Sequence, residues 1–182
     1  MQRVKILVLG PMKSGKSTIS NILGDLQDGL SSIYRPTQGL RIVEFEKDPP
    51  ASAKQFGKVH VELWDVSGDF KYEKGWAPIQ QDVQGIMFVY DPTNPDSEND
   101  LKTFVEKFPK ALRIKPVLCQ AFINPHNPEG SKAIPGCMKN LESFVGSAED
   151  SQGVGTTFEK YLARLIKQLI QKQESEESQY AT

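Results

Sequence analysis

Cysteine and histidine are scarce in this chain, with two of each in 182 residues. Cys119 and Cys137 match no metal-site spacing, and no disulfide between them is expected in what reads as a cytosolic protein. Cys119 sits in the apolar run 116–123 and reads as a small buried hydrophobe, while Cys137 follows Pro135-Gly136 in a loop. Charge of one sign is lacking too. Against 22 Lys and Arg stand 23 Asp and Glu, a net charge of -1, so broad attraction to nucleic acid or anionic lipid is excluded. No apolar run is long enough to cross a bilayer, and a strand pattern begins by residue 4, so no cleaved signal is expected. There is no internal repeat, and no low-complexity tract before residue 174. What remains is one domain of a size that buries its own core.

Against this plain background, residues 10–18 read Gly-Pro-Met-Lys-Ser-Gly-Lys-Ser-Thr. They satisfy G-x-x-x-x-G-K-[ST], the loop that wraps a nucleotide's phosphates. The flanks are those the motif requires: a β-branched run at 4–9 before it, and Ile19, Ile22, Leu23 and Leu26 at helical spacing after it. Gly10 and Gly15 allow the tight turn. The amides of Lys13, Ser14, Gly15, Lys16, Ser17 and Thr18 can then converge on an anion at a helix N-terminus. Lys16 is expected to reach the β- and γ-phosphates, and the Ser17 hydroxyl to ligate Mg²⁺.

Strand and helix patterns alternate along the rest of the chain, which predicts an α/β fold with a mostly parallel sheet. Segments 40–46 and 59–63 alternate in polarity and can pair as an antiparallel hairpin at the sheet edge. The connection between them, 47–57, is longer than a usual hairpin loop and is expected to be mobile. Residues 85–90 read as a buried strand. A helix near 97–112 carries Leu101, Phe104, Val105 and Phe108 on one face and should end or kink at Pro109. Segments 117–123 and 141–145 read as the last strands, with three prolines between 124 and 136 leaving little room for a helix. The stripe Val154, Phe158, Tyr161, Leu162, Leu165, Ile166, Leu169 and Ile170 predicts a final helix. The domain is expected over 1–173, with 174–182 a disordered polar tail.

A second constellation is Trp64-Asp65-Val66-Ser67-Gly68-Asp69 at a strand end. A carboxylate there can hold Mg²⁺ through water, and a glycine amide just beyond can touch a γ-phosphate. Between the two motifs lies Pro36-Thr37-Gln38-Gly39, whose Thr37 hydroxyl could reach the same ion.

In this order and spacing, the segments resemble the Ras-like small GTPases over residues 3–172. The resemblance implies a P-loop small-GTPase fold: six strands, mostly parallel, one antiparallel edge strand, helices on both faces, and a short or missing helix between the fifth and sixth strands. It implies GTP or GDP with Mg²⁺ as cofactors. Ser17 and Thr37 would be direct metal ligands, with Asp65 acting through water. Lys16 and the Gly68 amide would hold the γ-phosphate, with Tyr34 folded over it. Asn124, Asn127, Ser147 and Ala148 would stand at the base.

Three positions depart from the family. Met12 replaces a glycine facing the γ-phosphate. Asp69 replaces the water-orienting glutamine, so its catalytic role is degraded and slow hydrolysis is expected. The base motif Asn-Lys-x-Asp becomes Asn124-Pro125-His126-Asn127. A carboxamide offers one acceptor where a carboxylate accepts from two guanine donors, so guanine preference should be relaxed.

Within the superfamily, Pro-Thr-Gln-Gly-x-Arg-Ile-x-Glu-Phe-Glu and Glu-Leu-Trp-Asp-x-x-Gly-Asp are similar to the Rab-like GTPases of intraflagellar transport. That similarity implies the cytoplasm and the cilium or flagellum, including its base. It implies docking on the coiled-coil subunits of the intraflagellar transport complex B, by a chain that is monomeric on its own. The terminal Ser-Gln-Tyr-Ala-Thr carries no cysteine to prenylate, so no lipid anchor is expected.

Some residues keep two readings. Trp76, with Phe70 and Tyr72, is a partner surface or core. His126 stacks near the purine or faces solvent, and His60 is a strand surface residue. Two functions stand side by side: a GTP-loaded adaptor with slow hydrolysis, or a cycling P-loop triphosphatase regulating vesicle or cytoskeletal traffic.

Overall fold

A computed structural model describes residues 2–26, 34–49, 53–54, 57–126, 133–147 and 149–180. The β-branched run at the start forms β1 (Gln2–Leu9), and β2 (Leu40–Lys47), β3 (Val59–Val66), β4 (Gly85–Tyr90), β5 (Cys119–Ile123) and β6 (Glu142–Val145) follow. They make one sheet in the order β2-β3-β1-β4-β5-β6, in which only the β2–β3 pairing is antiparallel. The helices are α1 (Lys16–Leu23), α2 (Trp76–Ile79), α3 (Glu98–Leu112) and α4 (Ser151–Tyr180). Between β5 and β6 the described residues hold only a 3-10 turn, Gly136–Met138. The expected sheet and its antiparallel edge are thus observed, and a short or missing helix was expected between β5 and β6, where residues 127–132 lie outside the described residues.

Alternation along β1 divides the core. Val4, Ile6 and Val8 pack with Ile19 and Leu23 of α1 and with Val154, Phe158 and Tyr161 of α4. Leu7 and Leu9 pack on the other face with Trp76, Leu101, Phe104 and Phe108 from α2 and α3. Helices therefore cover both faces, and the crossover from β1 leaves one way while the chain returns to β4 on the other side. Ligands of open α/β sheets bind at such a reversal, outside the strands' C-terminal ends.

Several local expectations shift. The first helix ends at Leu23 because Gly24 closes it and Asp25 turns left-handed at φ 53°, leaving Leu26 exposed. Pro109 does not end α3, which runs three residues further. It lies in the final turn, where Arg113 adopts φ 54° and the Ile114 amide donates to the Pro109 carbonyl at 2.9 Å. That closure satisfies a terminal acceptor of the helix. The fifth strand begins at Cys119, after a 3-10 turn over Pro116–Leu118. In the long β2–β3 connection Ala53 is buried in the core cluster, while 50–52 and 55–56, on which much of the expected mobility falls, lie outside the described residues. Helix α4 continues to Tyr180, past residue 174 where the sequence predicts a disordered tail. Among the described residues no helix is long and apolar enough to cross a membrane.

Trp76 proves to be core. It is 3% exposed and its ring centroid lies 5.3 Å from Phe104 and 5.1 Å from Phe108. Trp64 is half-buried instead, with the Lys5 ammonium 3.6 Å over its ring and its Nε1 donating to Glu62 at 3.0 Å.

Candidate functional site

The loop after β1 turns into α1 through Gly15, which adopts φ 91°. A Cβ at Gly15 would overlap the Asn124 amide nitrogen, so both the backbone conformation and the space require glycine. Asn124 lies at the end of β5, buried, and its Nδ2 donates to the Ser14 carbonyl at 3.3 Å. The predicted base residue thereby ties its own loop to the phosphate loop. The Gly146 amide donates to the Ile123 carbonyl at 3.0 Å, which brings Ser147 alongside the same strand end. Asn127 and Ala148 lie outside the described residues.

Lys16 is 6% exposed, and its ammonium donates to the Gly10 carbonyl at 3.0 Å and the Pro11 carbonyl at 2.6 Å. Burial pushes its pKa down to about 8, with Asp65 pulling the other way. Gly68 closes over this loop so tightly that a Cβ would overlap the backbone of Gly10, Pro11 and Met12. Its amide therefore stands beside the phosphate loop, where the sequence places it. Tyr34 is exposed, with the Lys13 ammonium 5.7 Å from its ring centroid, so it flanks the loop. Met12 is exposed at the same mouth, and Thr18 follows Ser17 in the first turn of α1.

Three oxygen donors converge next to Lys16. Ser17 Oγ donates to Asp65 Oδ2 at 2.6 Å and lies 3.0 Å from Thr37 Oγ1, which is 3.5 Å from Asp65 Oδ2. They come from α1, from the loop before β2 and from the end of β3, positions up to 48 residues apart. Burial raises the Asp65 pKa, against the Ser17 hydrogen bond and the Lys16 charge, which lower it. Asp65 Oδ1 is buried without a hydrogen-bond partner among the described residues. Such an atom calls for a cation or a water-borne donor. Octahedral Mg²⁺ with oxygens at 2.0–2.1 Å has neighbouring ligands about 2.9 Å apart, close to the hydroxyl separation seen here. The donor set and the glycine cradle therefore fit a magnesium-bound nucleotide phosphate.

The position of the water-orienting residue is different. Asp69 caps the 3-10 turn Phe70–Gly75: Oδ1 accepts from the Lys71 amide at 3.0 Å and Oδ2 from the Lys71 ammonium at 2.8 Å. Its carboxylate is spent on its own turn, and the Lys71 contacts hold its pKa below the ordinary value.

The sequence reading missed two charged residues. Arg41 on β2 reaches Asp65 and the Ser17 carbonyl, and the signal for it was a charge at an inward-facing strand position. Asp91, at the end of β4, accepts from the His126 amide at 3.3 Å and lies 3.6 Å from its Nδ1. It also accepts from the Thr93 hydroxyl at 2.6 Å. That orients the base loop from behind and leaves His126 exposed at the surface. Away from this site, Glu44, His60 and Glu62 place ligand atoms within 4.8 Å of one another. Glu62 there is already taken by Arg3 and Trp64.

A family model described as Ras of Complex, Roc, domain of DAPkinase matches residues 5–124. The intraflagellar transport protein 22 homolog of Danio rerio is 31% identical over 195 residues, with the whole of both chains covered. Intraflagellar transport protein 22 of Trypanosoma brucei brucei is 40% identical over 111 residues, 58% of this chain and 51% of that protein. Among solved structures, the T. brucei IFT22/74/81 GTP-bound crystal structure matches with a TM-score of 0.71 at 26% identity, covering 92% of this chain and 99% of that one. With the Roc model spanning residues 5–124 and a full-length relative above 30% identity, the chain belongs to the Ras-like GTPases, in the family of intraflagellar transport protein 22.

Proposed function

We propose that this chain binds GTP with Mg²⁺ and works as a nucleotide-dependent adaptor of intraflagellar transport, with slow intrinsic hydrolysis and relaxed base preference. Docking is on coiled-coil subunits of the transport complex B, in the cytoplasm and the cilium or flagellum. The matched T. brucei crystal structure, a GTP-bound IFT22/74/81 assembly, supports that reading.

The observation that carries the adaptor reading is the fate of Asp69. Lys16 is preformed for phosphate, and Ser17, Thr37 and Asp65 converge on one point. These are binding groups. The residue that would orient an attacking water instead caps a turn and pairs with Lys71. Ser17, Thr37 and Asp65 would hold Mg²⁺, which would supply charge neutralisation at the phosphate oxygens of a bound triphosphate. Lys16 adds its ammonium to the same oxygens, and Gly68 reports the γ-phosphate through its amide. The 3-10 turn Phe70–Gly75 begins two residues later, so that amide is the link between the phosphate and a surface segment.

The test has two arms. Nucleotide released from the purified chain is identified by mass, and single-turnover hydrolysis is followed alongside binding to a recombinant coiled-coil pair of complex B. Guanine nucleotide, slow turnover and tighter binding of the GTP-loaded form are expected. Rapid unaided turnover with equal binding of both loaded forms would overturn the adaptor reading.

A further inference from the structure

Arg41 and Asp65 are direct partners in the antiparallel β2–β3 register. Opposite residues in such a pair project to the same face with Cβ atoms about 4.5–5.5 Å apart. That face also carries Val43, Val61 and Leu63, which pack against α1. The register thus delivers a guanidinium beneath the phosphate loop. Arg41 Nη2 lies 3.5 Å from Asp65 Oδ2 and donates to the Ser17 carbonyl at 3.2 Å. Its Nε is buried with no hydrogen-bond partner among the described residues, while the side chain as a whole is 38% exposed, so the carboxylate and the helix backbone anchor a guanidinium that solvent still reaches. The other groups facing Asp65 are the Ser17 and Thr37 hydroxyls and, through space, the Lys16 ammonium.

We infer that Arg41 is a positioning residue which, acting through Asp65, lowers the dependence of nucleotide retention on Mg²⁺. This rests on the GTP-binding reading above. A buried carboxylate dedicated to a divalent ion relies on that ion to offset its charge, so losing the ion leaves it uncompensated. Here one carboxylate oxygen already faces a cation fixed to the sheet. That cation stays when the ion leaves, and it keeps Asp65 and the first turn of α1 in register. The same cation weakens the field that Asp65 offers Mg²⁺. Both effects reduce the coupling between ion and nucleotide.

The full chain is loaded with a fluorescent GTP analogue in Mg²⁺ buffer and chased with unlabelled GTP, with and without EDTA and across a Mg²⁺ series. The readout is the ratio of release rates with and without EDTA. Arg41→Gln is expected to raise that ratio about tenfold over wild type, within the usual span of site-to-site coupling, and to lower the Mg²⁺ midpoint. Arg41→Lys, which keeps the charge, should fall between them, an order that loss of packing alone would not give. Thermal melting in Mg²⁺ and GTP checks that each variant folds. Equal ratios for wild type and Arg41→Gln, to within about twofold, would overturn the inference. So would a wild type released more than about a hundredfold faster in EDTA, whether or not the variants fold. Failure of wild type to retain the label even in Mg²⁺ would instead overturn the GTP-binding reading and this inference with it.

Discussion

Asp69 and Lys71 form a closed pair: one carboxylate oxygen accepts from the lysine's amide and the other from its ammonium. On the proposed reading, an anion held in this way would neither orient water nor stabilise a transition state. Unaided hydrolysis should therefore be no faster than roughly 10⁻⁴ s⁻¹, the scale of unassisted relatives. Asp69→Gln should speed single-turnover hydrolysis only if Met12 leaves room for water, and Met12→Gly with Asp69→Gln tests that. A wild-type rate near 1 s⁻¹ would mean that another residue positions the water.

Lys16→Ala removes the buried ammonium that the Gly10 and Pro11 carbonyls hold in place, and Ser17→Asn removes the hydroxyl shared with Asp65 and Thr37. Either should abolish tight triphosphate binding, measured by calorimetric titration in Mg²⁺. Affinity within about twofold of wild type would contradict the phosphate-site assignment.

The pH dependence follows from Lys16. Its pKa in the fold, about 8, lies below the ordinary 10.5 because of burial. Between those values the unfolded chain binds more protons, so Lys16 makes the nucleotide-free fold more stable as pH rises through the window. Triphosphate selects the ammonium, so binding takes up a proton there. Affinity should decline above pH 8 with a limiting slope of about tenfold per pH unit, and Lys16→Arg should flatten the decline. A flat wild-type titration from pH 7 to 10 would refute this.

At the base, Asn124 is fixed through Ser14, and Asp91 holds the backbone of His126. Asn127 follows directly. GTP should bind with ATP a detectable competitor, and Asn127→Asp should widen the gap, because a carboxylate accepts from both guanine donors. Competition titrations of both triphosphates at fixed salt and Mg²⁺ measure it. Complete exclusion of ATP by wild type would show that other residues read the base.

Trp76 packs against Phe70, Phe104 and Phe108. Trp76→Ala should cost about 3–5 kcal/mol of stability, seen in denaturant unfolding, because the surrounding rings cannot close such a cavity. A cost below about 1 kcal/mol would place Trp76 among the surface residues instead.

What the sequence by itself determined was everything encoded over short contiguous stretches. Residues 10–18 spell their own geometry, since a glycine turn followed by a helix start aims consecutive amides at one point whatever surrounds it. Strand alternation and the helical stripe of α4 were legible for the same reason. The convergence of Ser17, Thr37 and Asp65 was suggested by the residue types and given its roles by resemblance, because those residues lie far apart in the chain. Tertiary structure alone decided how the charged residues are spent. Arg41 meets Asp65 because a sheet register aligns them, and a slip of one residue would have turned it to the opposite face. Asp69 became a cap because its turn closed back on it. Trp76 became core because α3 lies over α2. The outcomes for Arg41 and Trp76 depend on which distant segments the fold brings against them, and composition and periodicity carry no record of that, whereas the Asp69 cap depends on a turn geometry that residue types alone do not spell.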